Sequence, residues 1–382
     1  MANLPFFVDA APFPLFPHLC LSFFNKKVMP TPSRSRQILF SLIATFLGLL
    51  LIFGFGELFF RLFPKFVADP PAPPPYNYRV PDRTYGWLVQ EAYRHEGELR
   101  DFKGNPYPLQ ISFGKNGFRK WGDPMVKDRK KVLFLGDSYT ACAQTSDDRL
   151  FYKLLGDSLP IEVFAYGAAG YSNAQEYLVL EKYLGEVKPD LVVWQLCCND
   201  FIDNYWELEK VAAYHVRMKR PYILEDGSIV RKLAAEYPRN VKPYSYFLYF
   251  ILKRIAEARG TFDKPPAEPA EKWIAEQNLD YEPFARSVRM TDAVFKKMKA
   301  LLPPQTRLLV FDADGFQPQY DQFARLCREN GLTFANGLPG YLSRFESAGE
   351  CVRTDDGYHW NNRGNELAAA FLKPYIDKTL NP

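Results

Sequence analysis

The chain has 382 residues, 47% of them hydrophobic and 24% charged, enough to bury a full core and too apolar to be disordered. Its 48 basic and 44 acidic side chains leave a formal charge of +4, so no sequence-wide positive footprint speaks for nucleic acid. The cysteines, Cys20, Cys142, Cys197, Cys198, Cys327 and Cys351, show no CxxC spacing and no His placed to complete a finger-type zinc site, and nothing implies a cofactor.

Residues 1–28 are apolar but broken by Pro5, Pro12, Pro14 and Pro17, so they do not form a spanning helix. Met29 stands just before a short basic stretch, and a translation start there would leave residues 1–28 unmade. The uncharged stretch 37–56, QILFSLIATFLGLLLIFGFG, is long enough at about 1.5 Å per residue to cross a hydrocarbon core of about 30 Å. It predicts one transmembrane helix. A signal peptide would have a shorter apolar region ending in small residues, whereas this one runs into GELFFRLF, which favours an uncleaved anchor. Lys26, Lys27, Arg34 and Arg36 precede the span, and only Arg61 and Lys65 follow closely, so residues 1–36 are expected in the cytoplasm and the rest outside it. Residues 57–75 read as a juxtamembrane segment ending in a stiff Pro-rich stalk, DPPAPPP.

The globular part is expected over 76–382. From Lys131, short β-rich apolar runs alternate with helical patterns, the signature of a parallel sheet covered on both faces. Strands are predicted at 131–135, 162–166, 191–196, 307–311 and 332–336, with helices at 148–158, 173–186, 286–302, 318–330 and 363–378. This is an α/β fold, a three-layer α/β/α sandwich. An insertion interrupts it at about 201–283, with a hairpin (PYILEDGSIV), an aromatic helix (SYFLYFILKRIAEA) and a solvated spacer (KPPAEPAEK). Leaving the sheet where open parallel sheets bind ligands, it is either a lid or a decoration.

Directly after the first strand comes GDSYT, Gly136 to Thr140, a serine on a strand-to-helix turn with its hydroxyl at the carboxyl edge of the sheet. Most such triplets are ordinary turns, so other positions must corroborate it. A literal GDSL at Gly156 to Leu159 follows a helical stretch and leads into the second strand, which places Ser158 at the amino edge, away from a site. After the second strand stands YGAAGYSN, whose Gly167 and Gly170 let backbone approach a ligand or merely make a tight connection. Asn199 of CCND follows the third strand, as an amide donor or a helix cap. Near the C-terminus, Asp356 and His359 stand three apart in one short loop, where they can supply the base a serine needs and the carboxylate that fixes its tautomer. His18, His95 and His215 have poorer surroundings. Trp206 and Trp360 are candidates for a groove wall or for packing, and Cys142 and Cys198 for small buried residues near the crevice.

These four blocks, in this order, resemble the SGNH, or GDSL-type, hydrolase family over roughly 131–376. KNGFRK (115–120), with the anchor, is similar to the large membrane-tethered bacterial members. The resemblance implies a flavodoxin-like sheet, Ser138 as nucleophile, His359 as general base and then acid, and Asp356 as the group orienting it. It implies an oxyanion hole of the Ser138 and Gly170 backbone N–H groups and the Asn199 side-chain amide. One position departs from the family pattern, because the block holding the Asn usually begins with Gly and here begins with Cys197. The expected function is an extracytoplasmic esterase at a bacterial inner membrane, acting on an acylated carbohydrate or lipid of the cell envelope. An O-acyltransferase with the same triad and a catalytically silent glycan-binding domain are the alternatives.

Overall fold

The computed structural model describes residues 33–68, 72–213, 218–234, 238–260, 262, 266 and 268–381; His18, Cys20, His215, the expected start at Met29 and parts of both Pro-rich stretches lie outside them. The chain falls into two units, Met1–Leu58 and Phe59–Pro382. Helix α1 (Arg34–Leu62) contains the 37–56 stretch and, by length and composition, is long and apolar enough for a membrane span or a signal sequence.

In the second unit two antiparallel hairpins come first, β1 (Arg79–Asp82) with β2 (Gly86–Val89) and β3 (Arg94–Arg100) with β4 (Pro106–Ser112). The sheet region follows in the order β5 (Lys130–Gly136), α2 (Ser138–Ala141), α3 (Phe151–Ser158), β6 (Ile161–Gly167), α4 (Asn173–Val187) and β7 (Leu191–Leu196). Then come α5 (Asp200–Asp203), α6 (Trp206–Glu209), a hairpin of β8 (Lys219–Ile223) and β9 (Ile229–Leu233), α7 (Tyr246–Ala258) and α8 (Ala270–Gln277). The chain closes with α9 (Glu282–Leu301), β10 (Arg307–Asp312), α10 (Gln319–Glu329), β11 (Thr333–Phe334), α11 (Leu338–Ser347) and α12 (Asn362–Leu380).

Among the described residues, five strands pair in parallel in the order β11-β10-β7-β5-β6. Counted along the chain this is 2-1-3-4-5, the flavodoxin-like order. Alternation along each strand sends Leu133, Tyr166, Trp194 and Val310 to one face, under α4, α9 and α10. Val132, Val163, Val193 and Phe311 face the other way, under α3, α11 and α12. The expected three layers are therefore present.

Differences from the sequence reading are local. Strand β11 is only Thr333–Phe334, shorter than 332–336, and β10 begins its pairing with it at Leu309. Helix α9 starts at Glu282 because Pro283, read as the end of the insertion, is tolerated in a first helical turn. Helix α11 has no counterpart among the expected elements; Pro339 sits in its first turn, where a proline is tolerated. The hairpin of the insertion is formed as expected, with Gly227 at φ +80° in its turn.

Candidate active site

The order 2-1-3-4-5 places the sheet's switch point between β5 and β7, so the loops after these strands open on opposite sides of one crevice. Ser138 follows β5 and Asn199 follows β7. Two glycines permit the turn by close approach rather than by unusual φ. A Cβ on Gly136 would collide with Gln195 and Thr140, and one on Gly167, at the end of β6, would meet the Asp137 carbonyl at 2.7 Å and the Thr140 carbonyl carbon at 2.6 Å. Short α2 thus lies directly on the strand ends. Asp137 caps it, accepting from Tyr139 N–H at 3.1 Å.

Ser138 Oγ lies 2.8 Å from His359 Nε2, and His359 Nδ1 lies 2.6 Å from Asp356 Oδ2. An ionised carboxylate only accepts, so Nδ1 carries the hydrogen and Nε2 is left to accept from the serine. The Asp356 Oδ1 atom accepts from Thr354 Oγ1 at 2.8 Å, Tyr358 N–H at 2.8 Å and His359 N–H at 2.9 Å. Partial burial would push this carboxyl up, but the bonds from His359, Tyr358 and Thr354 hold it well below the usual carboxylate range. The Tyr139 ring backs the imidazole at 5.1 Å between centroids, and its hydroxyl donates to Tyr358 O at 3.0 Å.

Asn199 Nδ2 and Ser138 Oγ contact the same atom, Asp137 Oδ2, at 3.5 and 3.3 Å. Gly170 sits at φ +75° in the turn after β6, closed by Tyr171 N–H donating to Ala168 O at 2.9 Å. The register pairs Gly136 with Gly167, so this turn rises at the same edge as Ser138. Ser158 ends α3, its Oγ donating to Leu155 O at 3.3 Å, at the edge where β6 begins. His95 is on β3, away from the pair.

Several holders of the site had no place in the sequence reading. The tip of the β3–β4 hairpin bonds to the Asp356–His359 loop, with Phe102 N–H donating to Arg353 O at 3.1 Å and Asp355 N–H to Arg100 O at 3.0 Å. Arg119, from KNGFRK, is buried and donates to Ala141 O at 3.1 Å and Thr145 O at 2.8 Å, fixing the loop after α2. Around the turn of Gly170, Arg79 Nη1 and Ala169 N–H bond Ala169 O and Tyr78 Oη respectively, at 3.4 and 3.3 Å. Asn199 is held from both ends. Its Nδ2 donates to Asp203 Oδ2 at 2.8 Å, and Cys197 Sγ stands 2.6 Å from its Oδ1. The i, i+4 spacing of Asn199 and Asp203 was a visible signal for the first contact.

Trp360 is core, 2% exposed and packed edge-on against Tyr139 and Phe151, and Trp206 is half-buried beside Tyr222. Cys142, Cys197, Cys198, Cys327 and Cys351 are free thiols. The exposed aromatic side chains near the histidine are others: Phe102, Phe316 and Tyr358, at 67%, 46% and 54% exposure, with Phe316 and Tyr358 rings 6.3 Å apart. Behind the serine, Ser138, Tyr139, Cys142, Gln144, His359, Trp360 and Asn365 line a void with about 10 Å³ of room for a water-sized molecule.

No protein-family model and no curated protein matches the chain. Solved structures similar to it include TesA, at 13% identity and TM-score 0.36 over 65% of this chain and 99% of the other. The psychrotrophic esterase EstA from Pseudoalteromonas sp. is similar at 15% identity and TM-score 0.36 over 66% of this chain and 100% of that one. A family 3 carbohydrate esterase of Clostridium thermocellum is similar at 14% identity and TM-score 0.34, over 66% and 97%. Likeness this distant says nothing about the reaction.

Proposed function

We propose that this chain is a membrane-anchored serine esterase of the SGNH, or GDSL-type, family that removes small acyl groups from a cell-envelope glycan. The observation that carries the reading is the relay Asp356–His359–Ser138, two hydrogen bonds of 2.6 and 2.8 Å ending on a serine at a sheet's carboxyl edge. Ser138 Oγ attacks the acyl carbonyl carbon while His359 Nε2 takes its proton, and Asp356 keeps the imidazolium oriented. The tetrahedral oxyanion accepts from the Ser138 and Gly170 N–H groups and from Asn199 Nδ2. Loss of one such donor typically costs about 3 kcal/mol of transition-state stabilisation. Collapse expels the alcohol, which receives the proton from His359 and leaves an acyl-serine ester. Water then attacks that ester by the same steps in reverse, regenerating Ser138. A sugar hydroxyl attacking in its place would make the chain an acyltransferase.

One observation bears on the substrate. The exposed rings of Phe316, Tyr358 and Phe102 offer flat faces of the kind sugar rings stack on. For the anchor, Phe60 is buried against Phe247 and Phe250 at 6.2 and 4.6 Å, so the last turn of α1 is part of the domain's packing. The basic residues ahead of the span then favour a catalytic domain outside the cytoplasm at a bacterial inner membrane.

Ser138→Ala should abolish turnover of a short-chain nitrophenyl ester with the fold intact, His359→Gln should be nearly as severe, and Ser158→Ala should change little. Full activity in Ser138→Ala, or loss of it in Ser158→Ala, would move or remove the site. Product analysis with an acyl donor, with and without a carbohydrate acceptor, separates hydrolysis from transfer.

A further inference from the structure

Asn199 differs from the two backbone donors proposed for the oxyanion, because an amide side chain can present either end. A half-turn about its last bond swaps the NH₂ for the carbonyl oxygen, which would repel a developing negative charge. The flip must therefore be fixed by its neighbours. Asp203, one helical turn later on α5, faces the nitrogen at 2.8 Å, and in its ionised form this carboxyl can only accept. The Cys197 thiol faces the oxygen at 2.6 Å. Burial, and then the Asp137 carboxylate, push that thiol well above its usual range, so it keeps its one proton, which Asn199 Oδ1 and Asp137 Oδ2, 3.0 Å away, can each accept. The residue that stands where the family pattern usually has glycine thus places a thiol donor beside this amide.

The carboxylate is held in turn by an arginine from the insertion. Arg220, on β8, is fully buried, with Nη1 3.1 Å from Asp203 Oδ1 and Nη2 3.0 Å from Glu209 Oε1. Tyr222 Oη donates to the other Glu209 oxygen at 2.6 Å, and the guanidinium lies over the Trp87 ring at 4.8 Å. A guanidinium buried between two carboxylates has a fixed position and a charge it does not lose.

We propose that Arg220 is a positioning residue for the reaction, acting through Asp203 to hold the Asn199 amide with its nitrogen toward the nucleophile. This rests on the assignment of Asn199 to the oxyanion hole. The charged and titratable groups facing Asp203 are Arg220 and Tyr222 on β8, Glu209 on α6, Glu176 on α4 and Asp137 just after β5. Burial pushes the Asp203 carboxyl up to about 7, opposed chiefly by Arg220 and then by the bond from Asn199. Without the cation the carboxyl takes up a proton at higher pH, becomes a donor and favours the reversed amide.

The test uses the full-length protein in detergent and a short-chain nitrophenyl ester. Arg220→Met should lower kcat at pH 7 by about 10- to 100-fold with KM little changed, and should move the acid limb of the kcat profile up by about one pH unit or more. Arg220→Lys should recover part of both. Asp203→Asn, which keeps the shape and cannot ionise, should lower kcat across the whole pH range. A folded Arg220→Met with the parent's kcat and acid limb overturns the proposal, and so does a fall in kcat with the limb unmoved, the mark of simple loosening. Should Arg220→Met fail to fold, Asp203→Asn decides: a reduced kcat at unchanged KM supports the proposal and the parent's kcat overturns it. Activity surviving in Ser138→Ala would instead remove the assignment of the site itself.

Discussion

Gly167 and Gly185 show how differently two glycines can be used. At Gly167 an added Cβ would collide with the backbone of α2, 2.6 Å from the Thr140 carbonyl carbon, and that backbone carries Ser138. At Gly185, inside α4, it would meet nothing within 4 Å. Gly167→Ala should therefore cost about 1–3 kcal/mol and most of the proposed ester turnover together, while Gly185→Ala should stabilise by up to about 1 kcal/mol and leave turnover unchanged. Thermal unfolding and ester turnover on both variants check this. Residues of this kind divide by what the sequence can carry. The distinction between Ser138 and Ser158 is legible, because alternation of strand and helix says which end of the sheet each turn occupies. The roles of Cys197, Asp203 and Arg220 are not, apart from the spacing of Asn199 and Asp203, because they depend on a hairpin returning across the insertion to bury one guanidinium.

The hairpins upstream of the sheet are the elements least visible beforehand. Strand β3, RHEGELR, has almost no apolar alternation, and β1, RVPD, carries a proline, so neither resembles a half-buried strand. Their importance comes from contacts distant in sequence. The β1–β2 pair meets the Gly170 turn, with Tyr171 Oη donating to Trp87 O at 2.7 Å, and the β3–β4 tip meets the Asp356–His359 loop. Trp87 also packs edge-on against Tyr171 at 5.5 Å between centroids and faces Arg220. Trp87→Ala should then cost about 3–5 kcal/mol of stability. Because it loosens both the Gly170 turn and Arg220, it should also lower kcat in whatever fraction stays folded, measured by denaturant unfolding and by turnover at low temperature. The four long parallel strands and most covering helices, in contrast, could be read directly, since each strand is a short run of mostly apolar residues buried on both faces of the sheet.

For the molecule as a whole, the telling feature is the number of carboxyl groups buried behind the crevice. Burial pushes Glu176 up to about 8 and Asp203 to about 7, and raises Asp200 and Asp312 well above the ordinary range. A carboxyl whose pKa is raised on folding binds its proton more tightly in the native state. Its contribution to stability is full below the unfolded value of about 4 and is lost as pH rises through the folded value. Unfolding temperature should therefore fall between pH 6 and pH 9, and Glu176→Gln should flatten that decline. An unfolding temperature that rises over this range would contradict the burial of these groups as acids. A last consequence follows from Phe60, which sits with Val67 and Tyr249 in a small apolar cluster of its own. Shedding of the domain by a protease would keep that plug in place only if the cut fell upstream of Phe59; a cut downstream would leave a freshly bared apolar hole on the released fragment and a tendency to self-associate.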